Sequence, residues 1–168
     1  MAVMQTIAIV GATENPGTEI ANKLAQENYR LLLISNDEHQ LTQLTKIING
    51  NKPMAEIDAL ICVKDGCWEA DIIILAVPSH EEKEVVEMIR EVATQKIVVS
   101  VSRQERDTSL LRGLLPFSNV VKVFISSKPK EIYITGDDEE ALQTISNIFK
   151  TAGYHLITTD NFSAIKTT

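Results

Sequence analysis

The stretch TIAIVGATENPG, residues 6–17, decides how the rest of the chain is interpreted. Thr6–Val10 is an apolar run of strand length, typical of a strand buried on both faces. A turn from residue 11 to residue 17 follows, with a glycine at each end, and an amphipathic helix pattern comes after it. Asn15 is interpreted as the N-cap of that helix and Pro16 as its first residue.

The same alternation of strand and helix patterns continues along the chain. Further strands are predicted at 31–35, 54–58, 71–77, 96–102, 120–125, 131–135 and 155–159. Helices are predicted at 38–48, 79–93, 109–115, with a cap at Asp107 and Thr108, and 137–152. Alternating strands and helices indicate an α/β fold with a mostly parallel sheet and helices on both faces. No composition break divides residues 1–168, so we expect a single domain.

Composition and charge restrict the possible functions. The chain is 44% hydrophobic, enough for a core that needs neither disulfides nor a structural metal. A net charge of −7 argues against nucleic-acid and membrane partners, and the apolar runs are too short to span a bilayer. Cys62 and Cys67 form no CxxC motif, and no signal peptide precedes the first strand, so we expect a cytoplasmic protein with free thiols.

The turn after the first strand is the main candidate for ligand binding. Glycines let a backbone approach a pyrophosphate closely, and the following helix N-terminus attracts negative charge. The predicted contacts are Gly11, Thr13, Glu14, Asn15 and Gly17, although glycine is also common in any strand-to-helix turn. Glu14 occupies the middle position, where its side chain crowds a phosphate and its carboxylate repels it.

The end of the second strand carries a second group of candidates. Ser35 and Asn36 can hydrogen-bond the adenosine ribose of either NAD or NADP. Asp37 favours NAD, because an acidic residue here binds the ribose hydroxyls and no Lys or Arg is adjacent in sequence. The alternative is that Asn36 and Asp37 cap the next helix.

The later strands supply residues near a nicotinamide position. His80 follows the fourth strand and is the candidate catalytic group, although a capping box of Ser79 and Glu82 explains its neighbourhood without a function. The charged run from residue 81 to residue 84 is interpreted as a solvated helix face. Ser100 lies near the end of the fifth strand, where it lines the site or is an ordinary polar residue.

In order and spacing, several segments resemble one known family, from about Gln5 to Lys166. These are TIAIVGAT (6–13), ADIIILAVP (70–78), LP (115–116) with VVKVF (120–124), and TGDDEEA (135–141). The chain resembles the N-terminal domain of coenzyme F420-dependent NADP oxidoreductases. That family is similar in turn to pyrroline-5-carboxylate reductase and to the reductase domain of the STEAP metalloreductases. The resemblance implies a Rossmann-type, doubly wound sheet with six parallel strands followed by two more.

The resemblance also implies a dinucleotide, NADP or NAD, as cofactor. The cofactor contacts of the family correspond to Gly11, Thr13 and Gly17 in the loop, to Ser35 after the second strand, and to Ala76, Val77 and Pro78 after the fourth. Two positions depart from the family: Glu14 replaces a glycine, and Asn36 replaces the frequent Arg that binds the 2′-phosphate. No metal site is expected.

Two functions follow as hypotheses. The first is an oxidoreductase that transfers hydride between NADP(H) and a flavin or deazaflavin. The second is a degenerate dinucleotide-binding or sensor module without turnover, which Glu14 favours. In the family, C-terminal helices complete the pocket of the second substrate, and the sequence ends at Thr168 before them. We therefore expect either a homodimer that closes this pocket or very low activity.

Overall fold

A sheet of eight strands organises the chain in the computed structural model, which describes residues 4–104 and 109–157. The strands are β1 Thr6–Val10, β2 Arg30–Ile34, β3 Glu56–Leu60, β4 Ile72–Leu75, β5 Ile97–Ser102, β6 Asn119–Ile125, β7 Glu131–Gly136 and β8 His155–Ile157. The helices are α1 Gly17–Leu24, α2 Glu38–Gly50, α3 Val63–Glu69, α4 Ser79–Ile89, α5 Ser109–Leu114 and α6 Glu139–Thr151. The cap predicted at Asp107 and Thr108 lies outside the described residues.

The strand order is β3-β2-β1-β4-β5-β6-β7-β8. Strands β1 to β6 are parallel, β7 is antiparallel to β6, and β8 is parallel to β7. The predicted sheet of six parallel strands followed by two more is confirmed. The order reverses between β1 and β4, and this is the point at which sheets of this type bind ligands.

Two hydrophobic layers cover the sheet because successive strand residues point to opposite faces. Ile7 and Ile9 of β1 pack with α1, α2 and α6 on one face. Ala8 and Val10 pack with α3, α4 and α5 on the other. Burial on both faces explains why the central strands appear in the sequence as unbroken apolar runs.

The structure differs from the sequence prediction at β3 and α3. Strand β3 begins two residues later than predicted, since the amides of Met54 and Ala55 donate to the carbonyl of Ala25 instead of pairing with β2. Helix α3 was not predicted. It has only seven residues, and Gly66 in its middle lies where a Cβ would be 2.5 Å from Cδ1 of Ile34.

Two glycines bring the first loop against the sheet. Gly11 has φ 87°, a conformation that L side chains rarely adopt, and a Cβ there would lie 2.7 Å from the carbonyl oxygen of Ala76. A Cβ on Gly17 would lie 2.1 Å from the carbonyl oxygen of Gly11. The first turn of α1 therefore packs directly on the loop backbone. Among the described residues, no helix is long and apolar enough to cross a membrane.

We predict that Gly17→Ala lowers the free energy of unfolding by about 2 kcal/mol or more, because backbone must move to admit the methyl group. Urea denaturation followed by circular dichroism measures this change. Gly50→Ala is the control, since a Cβ at Gly50 meets nothing within 4 Å. That variant should keep the stability unchanged or raise it by up to about 1 kcal/mol. Equal stabilities of the two variants would contradict the packing argument.

Candidate functional site

A crevice of about 210 Å³ opens at the carboxyl edge of the sheet, where the strand order reverses. It is lined by the glycine loop, the end of β2, the start of α3 and one side of α4. The lining residues are Val10, Gly11, Glu14, Ile34, Ser35, Asn36, Val63, Val77, Glu81, Glu84, Val85 and Met88. Two larger hollows, about 370 and 300 Å³, lie at the opposite edge beside Leu115 and Pro116, away from the glycine loop.

The glycine loop is held by backbone hydrogen bonds. The amides of Gly11 and Ala12 donate to the carbonyl of Ile34 at 3.0 and 3.1 Å, and the amide of Glu14 donates to the carbonyl of Gly11 at 3.0 Å. The first two bonds tie the loop to the end of β2, and the third lies within the loop. They also leave the Glu14 side chain facing the crevice.

The predicted cap of α1 is wrong. Pro16 occupies the N-cap position, the helix begins at Gly17, and no side chain caps it. Asn15 is exposed, and its Oδ1 accepts a hydrogen bond of 3.2 Å from Nε of Arg103, a residue just beyond β5. Asn15 therefore points toward the end of β5 and leaves the N-terminus of α1 without a side-chain oxygen.

Two predicted residues at and beyond the end of β2, Ser35 and Asp37, have defined partners. The hydroxyl oxygens of Thr13 and Ser35 lie 2.7 Å apart in a hydrogen bond that joins the glycine loop to this end. Ser35 Oγ also accepts from the amide of Asp37 at 3.1 Å. The Asp37 carboxylate accepts from the amide of Gln40 at 3.0 Å, so its role as the cap of α2 is confirmed. Asn36 is exposed at the crevice rim.

The predicted capping box at the end of β4 is also wrong. Pro78 is the N-cap of α4, Ser79 is already helical, and no side chain caps this helix. Glu82 points inward, with 9% of its surface exposed, and its carboxylate accepts a 2.8 Å hydrogen bond from the buried hydroxyl of Ser100. The prediction that the charged run is wholly solvated therefore fails at Glu82. His80 is at the rim with its side chain 78% exposed, 3.9 Å from Glu81.

Three carboxylates give the crevice a negative potential: those of Glu14, Glu81 and Glu84. Burial raises the pKa of Glu14 above its ordinary value of 4.5, the nearby charge of Glu81 raises it further, and His80 opposes this effect. None of the described residues that line the crevice is Lys, Arg or His. The site therefore combines a glycine loop suited to phosphate with side chains that repel it.

The crevice brings together only some of the predicted residues. Those that line it are Gly11, Glu14, Ser35, Asn36 and Val77. Thr13 and Ala76 support the lining, Pro78 starts α4, and Ser100 lies beside Glu82 under the first turn of that helix. Among residues 4–104 and 109–157, no group of three or more His, Cys, Asp or Glu side chains could hold a metal ion.

Sequence reasoning missed the wall formed by α4. Its members are Glu81, Glu84, Val85 and Met88, spaced three, four and seven residues from the first. This spacing describes one stripe of a helix. The stripe lies beside the buried face of Glu82, Val86 and Ile89. Helical periodicity could have found it, but two of its four members are charged.

The chain is similar in sequence to an NADP oxidoreductase family and to proteins named as NAD(P)+-dependent dehydrogenases. The sequence model of the family described as "NADP oxidoreductase coenzyme F420-dependent" matches residues 6–104. A glycerol-3-phosphate dehydrogenase [NAD(P)+] of Thermoanaerobacter sp. (strain X514) is 27% identical over 126 residues, which are 72% of this chain and 37% of that protein. The chain spans 37%, 56% and 50% of three such dehydrogenases.

Solved structures share the fold at low sequence identity. A diketoreductase superimposes with a TM-score of 0.78 and 16% identity, covering 96% of this chain and 66% of that one. A pyrroline-5-carboxylate reductase from Coxiella burnetii superimposes with a TM-score of 0.73 and 16% identity, covering 95% and 60%. The resemblance noted in the sequence to the F420-dependent family and to pyrroline-5-carboxylate reductase is confirmed.

We predict that Ser100→Ala lowers the free energy of unfolding by about 1–3 kcal/mol, because it removes a hydrogen-bond donor from a buried carboxylate. Urea denaturation at neutral pH measures the loss. Ser79→Ala is the control, because that exposed hydroxyl caps no helix, and its effect should stay below about 0.5 kcal/mol. A larger loss of unfolding free energy in Ser79→Ala than in Ser100→Ala would instead support a capping box of Ser79 and Glu82.

We also predict that Glu14→Gln is more stable than the unaltered chain at pH 7. The folded-state pKa is raised above 4.5, so the unfolded chain loses this proton at a lower pH than the folded chain does. The contribution of Glu14 to the free energy of unfolding therefore falls as the pH rises above 4.5, and it stays low at pH values beyond the raised pKa. The advantage of Glu14→Gln should vanish below pH 4.5. Denaturation curves across this range test it, with Glu87→Gln as control; an advantage independent of pH would refute it.

Proposed function

The chain belongs to the family of coenzyme F420-dependent NADP oxidoreductases, and from that membership we propose that it binds a nicotinamide dinucleotide in the crevice and transfers hydride. The observation that carries the proposal is the position of the crevice, at the glycine loop and at the reversal of strand order between β1 and β4. Dinucleotides bind at this point in doubly wound sheets.

The adenosine half fits the part of the crevice next to β2. Ile34, Val63, Val85 and Met88 give this part apolar walls, the surroundings that an aromatic base prefers. Ser35 and Asn36 offer a hydroxyl and an amide at its edge, where the ribose hydroxyls need partners. Shape and polarity therefore agree with an adenosine group.

The diphosphate fits the glycine loop less well. Gly11 presents backbone without a side chain, and the partial positive charge at the N-terminus of α1, which no side chain caps, attracts an anion. The amide of Thr18 in the first turn is already bonded to the carbonyl of Glu14. Glu14 opposes this attraction from within the loop. The shape of the loop thus accommodates a diphosphate, whereas the charge of Glu14 weakens its binding.

The nicotinamide end falls at the carboxyl end of β4, at Ala76, Val77 and Pro78. When bound, the nicotinamide ring supplies or accepts the hydride, and the chain has to position it and limit water around it. The buried pair of Glu82 and Ser100 fixes the first turn of α4 against β5 behind this position. We assign no acid–base role to the exposed His80, because hydride transfer depends on positioning more than on a proton donor.

The second substrate is proposed from the family description. A flavin or deazaflavin is the acceptor or donor that the family implies. The alternative function is a non-catalytic dinucleotide sensor, which the departure from the family at Glu14, where a glycine is usual, favours.

We further propose that turnover occurs in a cytoplasmic homodimer. His80, which follows the end of β4, has a side chain that is 78% exposed, so water reaches this end of the site, and water beside the reacting carbon slows hydride transfer. A second copy of the chain across this edge would exclude that water and orient the acceptor. Cys62 and Cys67 are free thiols, which suit the reducing cytoplasm.

Calorimetric titration with NAD, NADH, NADP and NADPH tests binding. Oxidation of the reduced cofactors with flavin and deazaflavin acceptors, together with the mass in solution, tests catalysis. Binding with acceptor-dependent oxidation by a dimer is the expected result. Binding without oxidation by any acceptor favours the sensor, and a monomer with rapid turnover contradicts the dimer. No binding of any dinucleotide contradicts both functions.

We predict that Glu14→Gly and Glu14→Gln each tighten NADH binding at least tenfold. At an effective dielectric of 20, a carboxylate about 8 Å from a phosphate costs about 2 kcal/mol. Glu14→Gln removes the charge and keeps the size, so the difference between the two variants isolates crowding. Glu87→Gln removes a charge of α4 that pairs with Lys83 and does not line the crevice, and it should change the affinity less than twofold. Unchanged affinity in both Glu14 variants would place the phosphates elsewhere.

A further inference from the structure

The residues at and just beyond the end of β2 are already engaged with one another. Ser35 Oγ is bonded to Thr13 and to the amide of Asp37, and the Asp37 carboxylate is bonded to the amide of Gln40. Asn36 and Asp37 are both exposed; the first is neutral and the second is an acid. In a dinucleotide site of this type the adenosine 2′ position lies here. The chain therefore presents an amide where a 2′-phosphate requires a cation.

The opposite wall adds negative charge. Glu81 and Glu84 of α4 line the same crevice, and Glu14 lines it from the glycine loop. Cations on three adjoining segments have acidic partners of their own: Lys64 lies 3.7 Å from Glu91, Lys83 lies 3.9 Å from Glu87, and Arg103 pairs with Glu19. Of the described residues that line the crevice, none is a cation available to a phosphate.

A 2′-phosphate needs more than this wall offers. It adds about 1.5 to 2 negative charges at neutral pH, and sites that accept it supply an Arg or Lys for charge-assisted hydrogen bonds. An unmodified ribose needs only neutral partners or an acceptor for its hydroxyls. The Asn36 amide provides such a partner, and nearby carboxylates do not repel a neutral ribose.

We infer that the crevice discriminates against the 2′-phosphate, so that this chain binds NAD(H) in preference to NADP(H). The family description names NADP instead. The inference rests on the proposed function, since it concerns the same crevice. It assigns the discrimination to two features, the neutral Asn36 at the rim and the carboxylate of Glu84 on the facing helix.

The experiment compares the dissociation constants of NADH and NADPH by nicotinamide fluorescence. In low salt the dissociation constant of NADPH should be at least tenfold larger than that of NADH. This ratio of dissociation constants, NADPH over NADH, should fall at high salt because screening weakens the repulsion. Asn36→Arg should lower the ratio at least tenfold, chiefly by tightening NADPH. Gln43→Arg adds the same charge on the exposed side of α2 and should leave the ratio within twofold.

Glu84→Gln provides a second variant that adds no bulk. It should tighten NADPH more than NADH, whereas Glu87→Gln, one turn away and outside the crevice, should change neither. NADPH binding at least as tightly as NADH would overturn the inference and leave the proposed function standing. A ratio unmoved by both Asn36→Arg and Glu84→Gln would overturn the assignment to these residues. Absence of binding by either dinucleotide would overturn the inference together with the proposed function.

Discussion

The contact between α1 and the backbone of the first loop positions every group in the crevice. Gly17 lies so close to the carbonyl of Gly11 that an added Cβ would be 2.1 Å from its oxygen. Gly11 lies close to Ala76, just beyond β4, where an added Cβ would be 2.7 Å from the carbonyl oxygen. Three segments, β1, α1 and β4, are thus joined by backbone contacts with no side chain between them. The helix N-terminus and the two strand ends therefore hold one arrangement, whatever side chains surround them.

That arrangement retains the shape of a nucleotide site while the side chains change its charge. A helix N-terminus stabilises a nearby anion by about 0.3–1 kcal/mol at an exposed site. One carboxylate about 8 Å away opposes the same anion by about 2 kcal/mol at an effective dielectric of 20. At that separation the Glu14 carboxylate would outweigh the helix N-terminus. A dinucleotide bound there would gain its binding free energy from the apolar walls and the ribose contacts rather than from its phosphates.

The fold was predictable from the sequence because the central strands are buried on both faces and appear as unbroken apolar runs. The candidate site was less predictable from the sequence. Ser79 and Glu82 have the spacing of a capping box, yet the same spacing places Glu82 in line with Val86 and Ile89 on the buried face of α4. Its partner, Ser100, lies eighteen residues away on β5. Only the order of the strands brings the two together, and local sequence patterns do not contain that order.

Helix α4 links the stability of the fold to the choice of ligand. Glu81 and Glu82 stand in its first turn, where the helix dipole favours acids, so both carboxylates stabilise the helix that forms one wall of the crevice. The Glu82 carboxylate accepts a hydrogen bond from Ser100 inside the fold, whereas the charge of Glu81 adds to the effect of burial in raising the pKa of Glu14. Neutralising Glu81 would thus improve the site for an anion and weaken the helix that shapes it. Helix stability and anion affinity are expected to oppose each other where one charge affects both. The carboxylates that disfavour phosphate are therefore compatible with a stable fold.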